Sequence, residues 1–479
     1  MRFPGFIGAA YSLQSVNVDC QRCVNLYPEI DEMRTGKNQE IGALIGRQGL
    51  RLLCSIGSGP IRGLYRTTTG RFYCVSGNAL YEVNSSWASS YVGDLWTSEG
   101  VVSMSDNGQQ LCVVDGTYGY ITSLSNNSFA RITDPDFYSA DKVSFLDGYF
   151  IFNRKGTGQF FISALYDGSS EDPLDFATAE GSADELVSQL VNNRELWNFG
   201  SRTTEVWYNT GAPDFPLSRI QGAFIEYGCN ARHSVVKIDN TVIWLGEGEH
   251  GVGTVWKAAG YQPQRASTHA VEHALKGYGD LSEAYAWAYE DGGHRFYCLQ
   301  VPGAPSTWCY DTSTGLWHER TTRNTTTGLE DRFRASCHAF AFGRHVVGDY
   351  QNGNLYALDS DYYSDNGVEI TALRTSPHIN VNLKRLFVRR FQLDMEFGVG
   401  LDGTAQGTDP QAMIQISTDN GHSWSNEYWA SAGKIGERRC RAIWRRLGSG
   451  RDVVMRVKIT DPIKRTLIGA EIDIEEGAN

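Results

Sequence analysis

The chain has 479 residues, and its 43 Lys and Arg against 55 Asp and Glu give a formal net charge of −12. The length predicts one to three domains of roughly 150 residues, and the acidic balance argues against a general nucleic-acid coat, because such proteins neutralise phosphates with net positive charge. The mean hydropathy is −0.35. No apolar run approaches the roughly 18 to 20 residues of a membrane helix, and no classical signal peptide is visible at the N-terminus.

Glycine and aromatic residues are abundant, with 52 glycines, 24 tyrosines and 12 tryptophans. Glycine permits tight turns and aromatic residues suit half-buried pleated surfaces, so this composition predicts many short strands and few long helices. The ten cysteines are scattered, and several lie within apolar strand patterns, which predicts small buried thiols. Cys20 and Cys23 form the single CxxC motif, but no second pair follows it, so we expect neither a metal nor another cofactor.

Apolar runs separated by polar turns recur from residue 61 onward at intervals of about 40 to 50 residues. Each cassette reads as a strand, a turn rich in Asp, Asn and Gly, a second strand, a looser turn and a third strand. Such turn residues form tight hairpins. The repeat length matches the blade of a β-propeller, while an irregular all-β protein is the alternative. The seven cassettes begin near Ile61, Val101, Lys142, Leu186, Ser234, Ala284 and Ala335.

The segment from residue 368 onward has a different pattern, with longer strands at residues 387–393, 412–417 and 453–459 in which apolar and charged residues alternate. Alternation of this kind indicates sheets with one wet face, as in a β-sandwich. The segment carries 16 Lys and Arg against 14 Asp and Glu, or +2, which leaves −14 for the first 367 residues. We therefore predict an all-β chain in three parts: an extended N-terminal arm at 1–58, a β-propeller at 59–367 and a C-terminal β-sandwich-like domain at 368–479.

Residues 417–424 match the Asp-box pattern S-x-D-x-G-x-[ST]-W, which occurs on hairpin turns of sialidases and related propellers. Such boxes are structural, because the Asp side chain caps its own turn and the Trp packs beneath it. The single box leaves open a carbohydrate-active or sugar-binding propeller, with Trp87, Trp96 and Trp308 as exposed stacking surfaces. His269 and His273 are spaced as on a helix between blades, but not as HExxH. No catalytic constellation is visible, so we expect a protein that is not an enzyme.

Basic residues cluster between residues 434 and 446, where Glu437 is the only acid. A solvated strand face is one interpretation of this cluster. The others are a docking surface for a neighbouring subunit or an acidic partner, or contact with passing nucleic acid, and the acidic remainder of the chain favours docking. The candidate docking residues are Lys434, Arg438, Arg439, Arg441, Trp444, Arg445 and Arg446.

Several stretches carry a resemblance to a known family, and they follow one another over nearly the whole chain. They resemble the packaged-DNA stabilisation proteins of short-tailed bacteriophages, also called tail hub or nozzle proteins. The single Asp box has no role that the resemblance explains. The stretches are QRCVNLYPE at 21–29, GPIRGLY at 59–65, ELWNFG at 195–200, TEVWYNTG at 204–211, RIQGAFIEYGC at 219–229, GYQPQR at 260–265 and WRRLG at 444–448, followed by residues 456–457.

The resemblance implies a structural virion protein of the phage tail, assembled in the bacterial cytoplasm. In this family several copies, typically six, form a ring beneath the portal and its adaptor and prolong the channel through which the genome leaves. Further partners would be a tail needle, plug, tailspike or fibre, and double-stranded DNA that passes without sequence recognition. The resemblance implies a β-propeller with an added β-domain, no catalytic residues, no cofactor and no membrane insertion.

Overall fold

Short strands joined by tight turns form nearly all of the regular structure, as the composition predicts. The computed structural model describes residues 2–31, 33, 41–179, 181, 184–213, 215–248 and 251–477. Within these ranges, no helix is long and apolar enough to cross a membrane. The N-terminal region contains the strands β1 (Tyr11–Ser12), β2 (Cys20–Gln21), β3 (Cys23–Val24), β4 (Leu26–Ile30), β5 (Ile41–Gly46) and β6 (Gly49–Ser55).

Seven antiparallel sheets follow as the blades of a β-propeller. The first strands of neighbouring blades lie side by side around the centre, and the ring closes between blades 7 and 1. Blade 1 consists of β7 (Ile61–Arg66), β8 (Phe72–Ser76), β9 (Ala79–Val83) and β10 (Ser89–Asp94); blade 2 of β11 (Ser103–Asp106), β12 (Gln110–Val114), β13 (Gly119–Ser123) and β14 (Phe129–Arg131); blade 3 of β15 (Val143–Leu146), β16 (Tyr149–Asn153), β17 (Gln159–Ala164) and β18 (Asp167–Thr178).

The remaining blades follow the same order, and helix α1 (His269–Gly277) lies between blades 5 and 6, where a helix was predicted. Blade 4 consists of β19 (Leu186–Asn192), β20 (Glu195–Gly200), β21 (Thr204–Asn209) and β22 (Leu217–Ile225); blade 5 of β23 (Val236–Ile238), β24 (Thr241–Gly248), β25 (Gly251–Ala259) and β26 (Gln262–Arg265); blade 6 of β27 (Tyr285–Asp291), β28 (His294–Gln300), β29 (Thr307–Asp311) and β30 (Leu316–Arg323), with β31 (Glu330–Arg332) paired to β30; blade 7 of β32 (Ala335–Ala341), β33 (Arg344–Asp349) and β34 (Asn354–Asp359), together with β6.

The turns that the sequence marks with Asp, Asn and Gly join the first and second strands of the blades. Between β15 and β16, Asp147 and Gly148 have φ angles of +48° and +101°. Two successive positive φ angles match the twist of an antiparallel hairpin, and Gly and Asp tolerate them. Between β11 and β12, Gly108 has φ +84°. The predicted cassettes are therefore confirmed as blades.

Strand β6 completes blade 7, because it pairs antiparallel with β34 along its whole length. Residues 1–58, predicted to form an extended arm, thus include the outermost strand of the last blade. The sequence alone does not reveal this pairing, since Leu50 lies opposite Leu358, some 300 residues further along the chain.

The C-terminal strands form two packed sheets, as predicted for a β-sandwich. One sheet contains β37, β44, β40 and β41, and the other contains β5, β45, β39 and β42. Phe391, Ile414 and Met455 lie buried between them. The strands are β37 (Ala372–Thr375), β38 (Ile379–Asn380), β39 (Leu386–Met395), β40 (Gln411–Ser417), β41 (Tyr428–Ser431), β42 (Ala442–Arg445), β43 (Ser449–Gly450), β44 (Asp452–Ile459) and β45 (Thr466–Glu476). The short strands β35 (Ser364–Asp365) and β36 (Val368–Glu369) precede them and extend the sheet of blade 7 beyond β6.

The N-terminal strands join the propeller to the sandwich. Strand β3 pairs with β30 of blade 6 on one side and with β37 of the sandwich on the other, so one sheet continues across both parts. Strand β5 pairs with β45. We call β3, β5 and β6 with the residues they contact the N-terminal junction.

Buried arginines stabilise this junction. Arg47 is fully buried and forms an ion pair of 2.6 Å with Asp365, while its Nε donates to Asn25 Oδ1 at 2.7 Å. Arg374 donates to the carbonyl oxygen of Phe6 at 2.6 Å, and burial lowers the pKa of Arg374 to about 10. Because buried cations need partners, these contacts fix the N-terminal segment against both halves of the molecule.

Candidate docking surface

The predicted basic residues lie at one edge of the sandwich, between and along the strands β41 and β42. Each of these strands is the last in its sheet, so each has a free edge. The indole Nε1 of Trp444 on β42 donates to the carbonyl oxygen of Tyr428 on β41 at 2.8 Å, which holds the two edges together. Residues 432–441 form the loop that joins them. The structure therefore brings the predicted residues onto one continuous segment at the end of the sandwich.

The cations of this segment project into solvent. Lys434 forms a long ion pair, in which its Nζ lies 3.8 Å from Asp409 Oδ2. None of the other five forms an ion pair with a residue that the structure describes, so no described side chain neutralises their charge. These five exposed side chains are Arg438, Arg439, Arg441, Arg445 and Arg446.

Trp444, which was predicted to dock with the arginines, lies in the sandwich core instead. It is 5% exposed, and its ring centroid lies 6.0 Å from that of Phe391 on the neighbouring strand. Residues along a strand point to alternate faces, so Arg445 is exposed because Trp444 is buried. Trp444 positions the edge and cannot itself contact a partner in this conformation.

Three exposed apolar side chains on β41 and on the loop that follows it were not identified from the sequence. Tyr428 is 48% exposed, and Trp429 and Ile435 are each 61% exposed. Large exposed apolar side chains next to arginines are typical of protein interfaces. The sequence gives little indication that Tyr428 and Trp429 are exposed, because two aromatic residues in a short strand are more often buried. We call Tyr428, Trp429, Ile435 and the five unpaired arginines the basic edge.

The Asp box is a structural turn between β40 and β41. Asp419 Oδ1 accepts the backbone N–H of Ser423 at 2.9 Å, and Asp419 Oδ2 accepts the Ser423 hydroxyl at 2.6 Å. These two hydrogen bonds from Ser423 are the main reason why the pKa of Asp419 lies well below its usual range. Gly421 has φ +90°, and a Cβ there would lie 3.0 Å from Cys20 Sγ. The box thus packs the sandwich against the N-terminal segment, as expected for a structural motif.

The tryptophans considered as sugar platforms do not form one surface. Trp308 was predicted to be exposed, and this prediction is wrong: it is 5% exposed and donates to the Tyr278 hydroxyl at 3.2 Å. The face of Trp96 is covered by the Arg131 guanidinium, 3.9 Å from the ring centroid. Trp87 packs edge-on against Phe342 at 5.6 Å. Trp308 is buried because its face of the sheet packs against Trp317, with 6.4 Å between the ring centroids, and belongs to an apolar cluster that includes residues of helix α1.

Comparison with known proteins identifies both halves of the chain. The family described as Bacteriophage P22 Gp10, beta-propeller, matches residues 7–363, and Bacteriophage P22 Gp10, beta-sandwich, matches residues 372–475. The search of curated proteins finds no match.

Solved structures that are similar include several propellers. The WD40 β-propeller domain of Doa1 is 13% identical, with 64% of this chain and 96% of that chain covered and a TM-score of 0.40. The N-terminal domain of Nup159 is 8% identical, with 71% and 98% covered and a TM-score of 0.42. The Mitotic Checkpoint Complex contains a chain that is 12% identical, with 69% and 97% covered and a TM-score of 0.43.

Identities and TM-scores as low as those of these solved structures carry no argument about function. The two family matches are the ones that bear on the role of the chain. The two matches follow the propeller and the sandwich in order and span nearly the full chain. The chain belongs to the bacteriophage P22 Gp10 family of phage tail proteins, which implies a structural role as a virion component.

Proposed function

We propose that this chain is a subunit of the tail hub of a short-tailed bacteriophage. Several copies, six in the form that we favour, form a ring that prolongs the channel of the portal and its adaptor. The ring helps to retain packaged DNA behind a needle or plug and lets the genome leave on infection. The observation that carries this proposal is the match of both Gp10 domains, in order, to the propeller and the sandwich.

The fold suits a rigid wall element. A propeller leaves only short sheet edges free, which limits unwanted strand pairing. The N-terminal junction ties the sandwich to blades 6 and 7, so a force on one half is transmitted to the other. These features support a load-carrying role without any need for catalysis.

The charge of the chain suits a channel through which DNA slides. Each copy carries −12, so six copies carry −72. A negative wall repels the phosphate backbone and does not hold the duplex, and this repulsion acts within a Debye length of about 8 Å at physiological salt. The basic edge, by contrast, is a local excess of positive charge, and we assign it to contact with a neighbouring subunit or the adaptor.

Reversal of two charges at the basic edge tests this role. We expect Arg445→Glu with Arg446→Glu to reduce incorporation of the protein into tailed particles about tenfold or more, because like charges across an interface cost several kcal/mol. The measurement is quantitative mass spectrometry of purified particles, with thermal unfolding of the free protein to verify folding.

A matched control changes the charge by the same amount elsewhere. Lys237 and Lys276 are exposed on blade 5 and helix α1, and neither has an ion pair among the described side chains. Lys237→Glu with Lys276→Glu should leave incorporation near the wild-type level. If the basic-edge variant enters particles as well as this control, the docking role is rejected.

A further inference from the structure

A second unpartnered surface lies at the outer edge of blade 3. Strand β18 is the outermost strand of this blade and pairs only with β17. The register changes between the pairs Phe161–Phe176 and Ser163–Glu171, so residues 172–175 stand opposite the single residue Ile162. A bulge of this size pushes its side chains away from the sheet.

The side chains on this bulge and at the adjacent Phe176 are acidic and apolar. Leu174 is 79% exposed and Phe176 is 45% exposed. Asp172 and Asp175 flank Leu174, and neither forms an ion pair with a side chain in the described ranges. Between Lys155 and Arg194 the sequence has seven Asp and Glu and no Lys or Arg. We call Asp172, Leu174, Asp175 and Phe176 the acidic edge.

The acidic edge complements the basic edge in both charge and chemistry. Each surface combines exposed apolar side chains, whose burial is favourable, with charges of one sign that form no ion pair among the described residues. Pro173 has no N–H to offer a neighbouring strand, so the acidic edge is unsuited to edge-to-edge strand pairing. Contact through side chains is the mode that both surfaces share.

The sandwich that carries the basic edge is attached across the propeller from the blade that carries the acidic edge. The sandwich is attached at blades 6 and 7 through β3 and β6. In the ring of seven blades, blade 3 is three steps from blade 6 and three steps from blade 7. Complementary surfaces at opposite ends of a subunit produce head-to-tail contacts, which close into a ring when the rotation between neighbours allows it.

We propose that the acidic edge of blade 3 receives the basic edge of the next copy of this chain. Asp172 and Asp175 face the arginines, while Leu174 and Phe176 pack against Trp429 and Ile435. This inference rests on the proposed ring and names the two faces that would form it.

A charge swap tests the pairing. We expect Asp172→Lys combined with Asp175→Lys to reduce incorporation into tailed particles about tenfold. This is the same reduction that we expect for Arg445→Glu combined with Arg446→Glu. A chain that carries all four substitutions restores opposite charges across the contact, and its incorporation should return to within about twofold of wild type. Failure of the four-substitution chain to recover would overturn the pairing.

Cross-linking separates this inference from the proposed function. A photo-reactive benzoylphenylalanine in place of Leu174 should cross-link, in assembled particles, to residues 428–446 of another copy, as mapped by peptide mass spectrometry. Particles that contain the protein but cross-link residue 174 elsewhere would reject the interface and leave the tail role intact. Absence of the wild-type chain from particles would reject both the interface and the proposed tail role.

Discussion

Among single residues, Glu171 on β18 shows the clearest departure from ordinary solution behaviour. It is 8% exposed, and no described residue donates a hydrogen bond to either carboxyl oxygen. Burial, followed by the neighbouring Asp134, Asp167 and Asp136, raises the pKa of Glu171 to about 8. The folded chain therefore holds a proton there that the unfolded chain releases above pH 4.5.

This proton predicts a pH dependence of stability. Because the folded state binds the proton more tightly, the free energy of unfolding should fall as the pH rises from about 4.5 to about 8, and then level off. Glu171→Gln should remove this fall and be more stable than wild type by about 1 to 3 kcal/mol at pH 8.

Urea unfolding of both proteins at several pH values provides the measurement. Glu226, an exposed acid on the segment after blade 4, supplies the control, since Glu226→Gln should follow the wild-type curve. Equal slopes for wild type and Glu171→Gln between pH 5 and pH 8 would show that Glu171 is not protonated in the folded state.

At the scale of elements, completion of blade 7 depends on strand β6. Leu50 on this strand is fully buried and belongs to the apolar cluster between blades 6 and 7, with Trp287 and Tyr356. Leu52 on the same strand is 41% exposed. The two leucines therefore differ in environment while sharing one element.

Truncation of each leucine tests the packing of β6. We expect Leu50→Ala to lower the free energy of unfolding by about 2 to 5 kcal/mol, because it leaves a cavity in the core. Leu52→Ala should cost less than about 1 kcal/mol. Urea denaturation measures both, and similar losses for the two variants would mean that β6 is not packed as described.

The sequence predicts elements well when their partners are close in the chain. The cassette starts near Leu186 and Ala335 coincide with the first strands of blades 4 and 7, because hairpin turns are encoded locally. Strand β6 pairs with β34, and Arg47 pairs with Asp365, each across about 300 residues of sequence. A local sequence pattern does not indicate contacts between residues so far apart. The arginines of the basic edge were found by charge alone, whereas the exposure of Trp429 and the burial of Trp444 depend on strand register.

For the whole molecule, the N-terminal junction couples the two domains thermodynamically. The propeller and the sandwich share a sheet through β3 and a buried ion pair between Arg47 and Asp365. Domains joined by an extensive buried contact unfold together, whereas weakly joined ones unfold separately.

Calorimetry should therefore show a single unfolding transition for the wild-type chain. Arg47→Met leaves Asp365 buried without its partner, which costs about 3 to 5 kcal/mol at the junction, and we expect this variant to unfold in two resolved transitions. Arg51→Met provides the control, since Arg51 pairs with Asp359 at the surface and surface pairs contribute about 0 to 1 kcal/mol. Two transitions in the wild type would contradict the coupling.

The N-terminal junction can also form only late in synthesis, because its two sides are far apart in the sequence. Phe3 donates its backbone N–H to the carbonyl oxygen of Ala470 at 2.7 Å, so Phe3 acquires this partner only after the chain has been extended by a further 467 residues. At about 5 to 20 residues per second, that interval is on the order of 20 to 90 seconds. During synthesis strand β6 lacks its partner β34, and the sandwich lacks β45. A translation product that ends before β45 lacks the strand that pairs with β39 beside β42, so we expect its basic edge to be incomplete.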